Sequence, residues 1–295
     1  MNGLVLNITL PALIIHGLVS APSIPTSDML PAVCAFFAEV LVMAIAFLLG
    51  RLCRFPDRTV GMLMLIGSFA NTGFLGYPMV LALFKDQMPS AIILDQFGEA
   101  VPLIISALIV GPWLGSGRIE REDRAPAPIK GIGGHALRVL RTLRTPLTYS
   151  LALGIALRLI PWPAALLASS GLQEISRVLM QILQYLAQGT IPIVLLALGV
   201  ALRPSSMKGD PRPIVIASVL KLFFVPLAAY YMAREFGLHG DQLHLPVLQC
   251  SMPTAVMASV YAAQNDLDGD KAVGIVFLTT VLSAVTVPFL LGVLR

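Results

Sequence analysis

The sequence predicts an all-α polytopic membrane protein, and three observations predict it. Of 295 residues, 57% are hydrophobic and only 12% are charged, against about 25% charged in ordinary soluble domains. The mean hydropathy is +0.84. Nine mostly apolar stretches each approach the roughly 20 residues that a spanning helix needs. A water-soluble globule could not hide this much apolar surface, which excludes a soluble enzyme, a disordered scaffold and a disulfide-stapled secreted domain. The net charge of +4 needs no nucleic acid as partner, because the basic residues cluster between apolar stretches, as orientation in a bilayer requires.

The stretches run over 2–20, 31–50, 59–84, 92–114, 145–161, 178–202, 212–235, 244–265 and 272–294. In the first, Val19-Ser20-Ala21 looks like a signal-peptidase site, but no Lys or Arg precedes the apolar run and Pro22 follows it, so a retained helix is expected. The second leads into a basic loop with Arg51, Arg54 and Arg58. The third and eighth each contain a helix-breaking zone, Asn-Thr-Gly-Phe-Leu-Gly-Tyr-Pro at 71–78 and Ser-Met-Pro-Thr-Ala at 251–255. Between the fourth and fifth lies a linker rich in Gly, Pro and charge. It divides the chain into a first repeat (1–114), a basic cytoplasmic linker (115–144) and a second repeat (145–295). Arg138, Arg141 and Arg144, set among leucines at three-residue spacing, form a basic collar that could also lie as a short interfacial helix. With the linker in the cytoplasm, 14 Lys and Arg fall on the cytoplasmic side and 5 on the other. The positive-inside rule then places the N-terminus inside and the C-terminus outside. Cys34, Cys53 and Cys250 are odd in number, lack CxxC spacing and read as small buried hydrophobes.

The halves match weakly but in register. Pro11 aligns with Pro192 at an offset of 181, and Pro31 with Pro213 and Glu39 with Lys221 at 182. Applying that offset to the fifth stretch lands before residue 1, so a five-helix unit used twice, without the first helix of its first copy, is expected. Five is odd, so the second copy enters the membrane inverted, the plan of many secondary transporters. Unwound backbone is tolerated in hydrocarbon only where it lines a cavity or is covered by protein. Two broken helices meeting near the midplane would aim half-helix N-termini, with open N–H groups, at one anion. Asn71, Thr72 and Thr254 would add neutral donors.

NTGFLGYP after the Arg51–Arg58 loop resembles the fourth-helix motif of the auxin efflux carrier family. NITLPAL, LLALGVAL, LKLFFVP and MPTAVMASVYAAQ are similar to that family's second, seventh, eighth and ninth helices, so the resemblance covers nearly the whole chain. It implies ten helices, with a scaffold and a mobile core whose broken helices cross at the substrate. It also implies transport of small organic anions such as malonate or auxin-like acids. Bacterial members imply the inner membrane. The substrate crossing then maps to Asn71, Thr72, Gly73, Gly76, Tyr77 and Pro78 in one helix and Met252, Pro253, Thr254 and Ala255 in the other, with Pro11 and Pro192 as facing scaffold prolines. The chain departs from the family pattern in the expected lack of the first, scaffold helix.

Glu39 and Lys221 each lie about eight residues into a span, where ionisable groups are functional candidates by default. Three readings stay open: an ion pair, a proton-coupling Glu39, or a snorkelling Lys221 with Glu39 bonded to a hydroxyl. His16 reads as a packed core residue before a proton relay. Asp95 and Glu99 read as solvated residues near the outer mouth. NDLDGD at 265–270 reads as a turn rather than a calcium loop, and Gly111-x-x-x-Gly115 as a weak homodimer signal. No Walker lysine loop, HExxH or Ser/His/Asp set with supporting context is present, so no cofactor, metal or enzymatic activity is expected. The function expected is secondary transport of small organic anions. A sodium-coupled carrier like the bile-acid symporters and a membrane sensor without turnover are the alternatives.

Overall fold

In the computed structural model, residues 4–20, 29–115, 146–159, 170–190, 192–193, 196 and 210–294 are described. They form an all-α polytopic membrane protein. The linker with its Arg138 collar, and most of the apolar run 189–202, lie outside the described residues.

Helix α1 (Leu10–Val19) follows a wide turn at Val5–Thr9. Then come α2 (Met29–Leu52), α3 (Asp57–Ile66), α4 (Thr72–Leu83) and α5 (Met88–Leu114). Beyond the linker are α6 (Pro146–Leu159), α7 (Ser170–Gln188), α8 (Arg212–Glu235), α9 (Asp241–Cys250), α10 (Val256–Gln264) and α11 (Gly269–Leu294). Four of these, α2, α5, α8 and α11, are long and apolar enough to cross a bilayer alone. Exposed Leu48, Val285 and Phe289 show why these helices are apolar all round: one face meets protein and the other meets lipid.

The sequence offset recurs in space. Helices α2 and α8 both have 24 residues and both end in the same reversal. At the first, Phe55 N–H bonds to Gly50 O and Arg54 N–H to Arg51 O, with Arg54 at φ 55°. At the second, Leu238 N–H bonds to Ala233 O and Gly237 N–H to Arg234 O, with Gly237 at φ 73°. Paired bonds of this kind around a left-handed residue close off a helix C-terminus. A broken helix follows each reversal, and then a long span, α5 or α11.

The broken helices run in opposite directions. Arg58, at the start of α3, bonds to Asp266 just past the end of α10, at 2.6 Å to its carbonyl and 2.5 Å to its carboxylate. At the far end, Phe84 beyond α4 packs on His244 of α9 with ring centroids 6.4 Å apart. The α2–α3 turn also meets the start of α8, where the Arg212 guanidinium lies 5.3 Å from the centre of the Phe55 ring. Arg51–Asp57 (2.5 Å) and Lys271–Asp268 (2.6 Å) complete a face of paired charges at this end. A hydrogen bond from Arg212 holds the Asp210 carboxyl below its usual range.

One local reading changes, one acquires an internal use and one holds. The span expected over 178–202 overlaps α7, which starts earlier, at Ser170, and ends at Gln188. Its polar stripe of Gln173, Glu174, Arg177, Gln181 and Gln184 makes it amphipathic, a pattern that a search for uniformly apolar windows overlooks. Gly111 and Gly115 are used within the chain: a Cβ on either would overlap Asn265, so their small size serves an internal contact between α5 and the end of α10. The 265–268 segment is a turn, with Asp266 at φ 53°.

Candidate functional site

The two helix breaks meet. The first unwinds at 67–71, upstream of the expected zone. Residues 72–76 instead form a wide helical turn, and Pro78 is accommodated inside α4 near its start. Pro78 is the second residue of the regular part of α4, Tyr77–Leu83, and the change of hydrogen-bond spacing after the wide turn accommodates a residue without an N–H. Gly67-Ser68, rather than Gly73 to Pro78, is where the helix opens. The second break spans 251–255, as expected.

Across the junction, Asn71 N–H donates to Pro253 O at 2.8 Å and Ala255 N–H to Phe69 O at 3.0 Å, a two-residue antiparallel bridge centred on Ala70 and Thr254. Thr254 Oγ1 donates to Ile66 O at 3.0 Å, and Thr254 N–H reaches Thr279 Oγ1 on α11 at 3.3 Å. Each unpaired peptide group in hydrocarbon costs several kcal/mol, so each broken helix satisfies groups exposed by the other.

Two charged side chains finish the job. Ala70 N–H donates to Glu99 Oε2 at 2.9 Å. Lys221 Nζ donates to Cys250 O at 2.8 Å, on the last residue of α9. Lys221 and Glu39 are both fully buried, so the lysine does not snorkel. No direct ion pair joins them, since neither Glu39 oxygen has a hydrogen-bond partner. Instead a Glu39 oxygen, a Glu99 oxygen and the Cys250 sulfur lie within 4.8 Å of one another, with the lysine's bond to Cys250 close by.

Asp95 and Glu99 are a correction. Both are buried, at 7% and 3% exposure, because α5 begins at Met88 and carries them into the protein instead of starting beside them. Thr72 Oγ1 donates to Asp95 Oδ1, while Tyr77 OH and Gln96 Nε2 each donate to Oδ2 at 2.7 Å. The sequence signal was available: Asp95 and Glu99 are four residues apart, on one face of an otherwise apolar helix. Gln249 was missed altogether. It is fully buried, both polar atoms of its carboxamide lack partners, and a Cβ on Gly76 would overlap it.

A cavity of about 90 Å³ opens at the junction. Its polar wall includes Asn71, Thr72, Gly73, Tyr77, Asp95 and Glu99, and Ala255, Val256 and Met257 bring in the start of α10. The first turns of α4 and α10 present amides with no acceptor inside their own helices. Asn71 Oδ1 takes one of them, from Phe74 N–H at 3.3 Å. From α1 the wall is made by Leu10 and Ile14, which flank Pro11. Met252, Pro253 and Thr254 build the junction behind the wall, Gly76 faces Gln249, Pro78 is half-buried in α4 outside the cavity lining, and Pro192 is exposed. His16 is half-buried on α1 outside the cavity lining.

A family model described as membrane transport protein matches residues 1–291. The chain belongs to this family, the auxin efflux carriers. The transporter is 27% identical over 298 residues to an uncharacterized transporter of Methanocaldococcus jannaschii, covering 97% of this chain and 86% of that one. A second uncharacterized transporter, from Methanothermobacter thermautotrophicus, is 25% identical over 291 residues, covering 98% and 86%. A Rhizobium meliloti protein named "Putative malonate transporter" is 32% identical over 152 residues, about half of each chain (49% and 47%).

Proposed function

We propose that this membrane transporter carries small organic anions of the carboxylate class, with proton coupling, by alternating access of the crossed-helix unit. The supporting observation is the cavity at the junction, walled by the N-terminal turns of two antiparallel helices. Helix N-termini favour anions through their open amides and dipoles. The name of the Rhizobium meliloti relative points to the same substrate class.

Charge balance supports the proton. Glu39, Glu99 and Lys221 place two carboxyls beside one ammonium in a fully buried cluster. Glu39 and Glu99 face each other with acceptor oxygens only, and one proton between them supplies the missing donor and evens the charge. Lys221 occupies this cluster with its Nζ donating to Cys250 O, which favours a proton over a sodium ion as the coupling partner of the two carboxyls. Against a membrane potential of 100 mV, uptake of a dianion costs about 4.6 kcal/mol, of which each accompanying proton offsets about 2.3 kcal/mol. A bacterial inner membrane, with its inward proton gradient, fits this arrangement.

Proteoliposome flux of radiolabelled malonate tests the reading. Saturable uptake that accelerates with an inward proton gradient is expected. Uptake that follows sodium instead would move the protein to the sodium-coupled class, and binding without any translocation would make it a sensor.

A further inference from the structure

Away from the junction, an apolar groove of about 670 Å³ lies between α8 and α11. Its walls include Phe223, Leu227 and Tyr230 of α8 and Leu282, Thr286 and Phe289 of α11. Phe223 and Phe289 are 62% and 73% exposed, so the groove opens toward the surrounding hydrocarbon. We propose that it is a binding site for one glycerophospholipid of the outer leaflet, with an acyl chain in the groove and the phosphate on Arg234.

Depth supports the assignment. Both helices start at the face of paired charges, α8 at Arg212 and α11 beside Lys271. At about 1.5 Å per residue, Tyr230 and Thr286 both lie roughly 26 Å from it. That is close to the far boundary of a hydrocarbon core about 30 Å thick. The groove runs back from Tyr230 along α8 to Ser218, a helical distance of about 18 Å. One leaflet's hydrocarbon is about 15 Å deep, so the groove has the length of an ordered acyl chain.

The deep end of the groove is lined by Val219, Leu222 and Phe223, with Ser218 there keeping its hydroxyl on its own helix through a 2.8 Å bond to Ile214 O. At the outer end Thr286 and Tyr230 bring hydroxyl-bearing side chains to the lining. One turn beyond Tyr230, the exposed Arg234 holds its guanidinium 5.8 Å from the Tyr230 ring centre and 3.4 Å from the Tyr230 hydroxyl. Among the described residues no carboxylate pairs with Arg234 within 4.0 Å. An arginine fork free to take two phosphate oxygens, at headgroup depth above an apolar slot, matches this ligand chemistry.

Native mass spectrometry of the full chain, released from micelles doped with either phosphatidylglycerol or diacylglycerol of the same chains, tests the site. The wild type should keep one phosphatidylglycerol about tenfold more often than diacylglycerol. Arg234→Gln should lower phosphatidylglycerol retention to the diacylglycerol level. Leu227→Trp, which fills the slot, should remove both, and Leu282→Trp on the opposite wall should do the same should the first variant fail to fold. Equal retention of the two lipids by the wild type, or unchanged retention in a folded slot-filling variant, would overturn the proposal. So would a doubled mass without bound lipid, which would give the groove to a second copy of the chain.

Discussion

Lys221 Nζ lies 2.8 Å from the carbonyl oxygen of Cys250, the last helical residue before the second break. That carbonyl is one of the groups a helix C-terminus leaves without a partner, and here a buried ammonium takes it. The first break is served in the opposite sense, with the Glu99 carboxylate accepting from Ala70 N–H. Lysine and glutamate thus substitute for backbone partners while remaining close enough to share an electrostatic environment. Lys221→Met should destabilise the protein by about 3–5 kcal/mol, the usual cost of removing one partner from a buried charge set. The Lys221→Met, Glu39→Gln double variant should recover part of that loss, because both charges then disappear together. Thermal unfolding in detergent reads both; additive losses would mean that the two residues are not coupled.

At Gly76 the two broken helices pack closely, with the Gln249 carboxamide where a Cβ would stand. Gly76→Ala should cost about 1–3 kcal/mol through overpacking and should abolish transport. Shortening the opposing side chain with Gln249→Ala should restore the lost stability in the double variant. A fully active Gly76→Ala protein would show that the helices separate during the cycle more than this packing implies.

Glu39 has neither oxygen hydrogen-bonded and faces Glu99. Glu39→Gln keeps the shape but cannot exchange a proton. Malonate uptake by this variant should lose its dependence on external pH while counterflow exchange persists. A pH profile identical to the wild type would leave Glu39 a structural role only.

Asn71 both closes the inter-helix bridge through its N–H and caps Phe74 with its side chain. Asn71→Ala keeps the first bond and loses the second, at about 1 kcal/mol. Removing a polar group from the cavity wall should also weaken substrate binding about tenfold. Isothermal titration of the detergent-solubilised protein separates the two effects, since unchanged affinity with lowered stability would confine Asn71 to capping.

The helix breaks were legible in part. Pro253 sits inside its unwound segment, where a residue lacking an N–H has an obvious effect. In the first half the apparent breakers mislead: Pro78 lies in a helix, and the opening occurs at Gly67-Ser68, a pair with little signal inside an apolar run. Asp95, Glu99 and Gln249 were hidden for a related reason. A polar residue near the expected end of an apolar stretch looks solvated, and only the true start of α5 shows that Asp95 and Glu99 are carried inside.

Composition alone required a membrane protein, because so much apolar surface has no other solvent. The spacing of Glu39 and Lys221, and of the two interrupted stretches, was enough to reveal the internal repeat. Which backbone groups pair, which carboxylates face each other and where a cavity remains were decided by tertiary contact. The pairings between the two broken helices depend on residues more than 180 positions apart, such as Asn71 and Pro253 or Arg58 and Asp266, and the carboxylate cluster on residues 29 to 60 apart. Local sequence carries hydropathy and helix preference, but a hydrogen bond between distant segments exists only once the chain has brought them together.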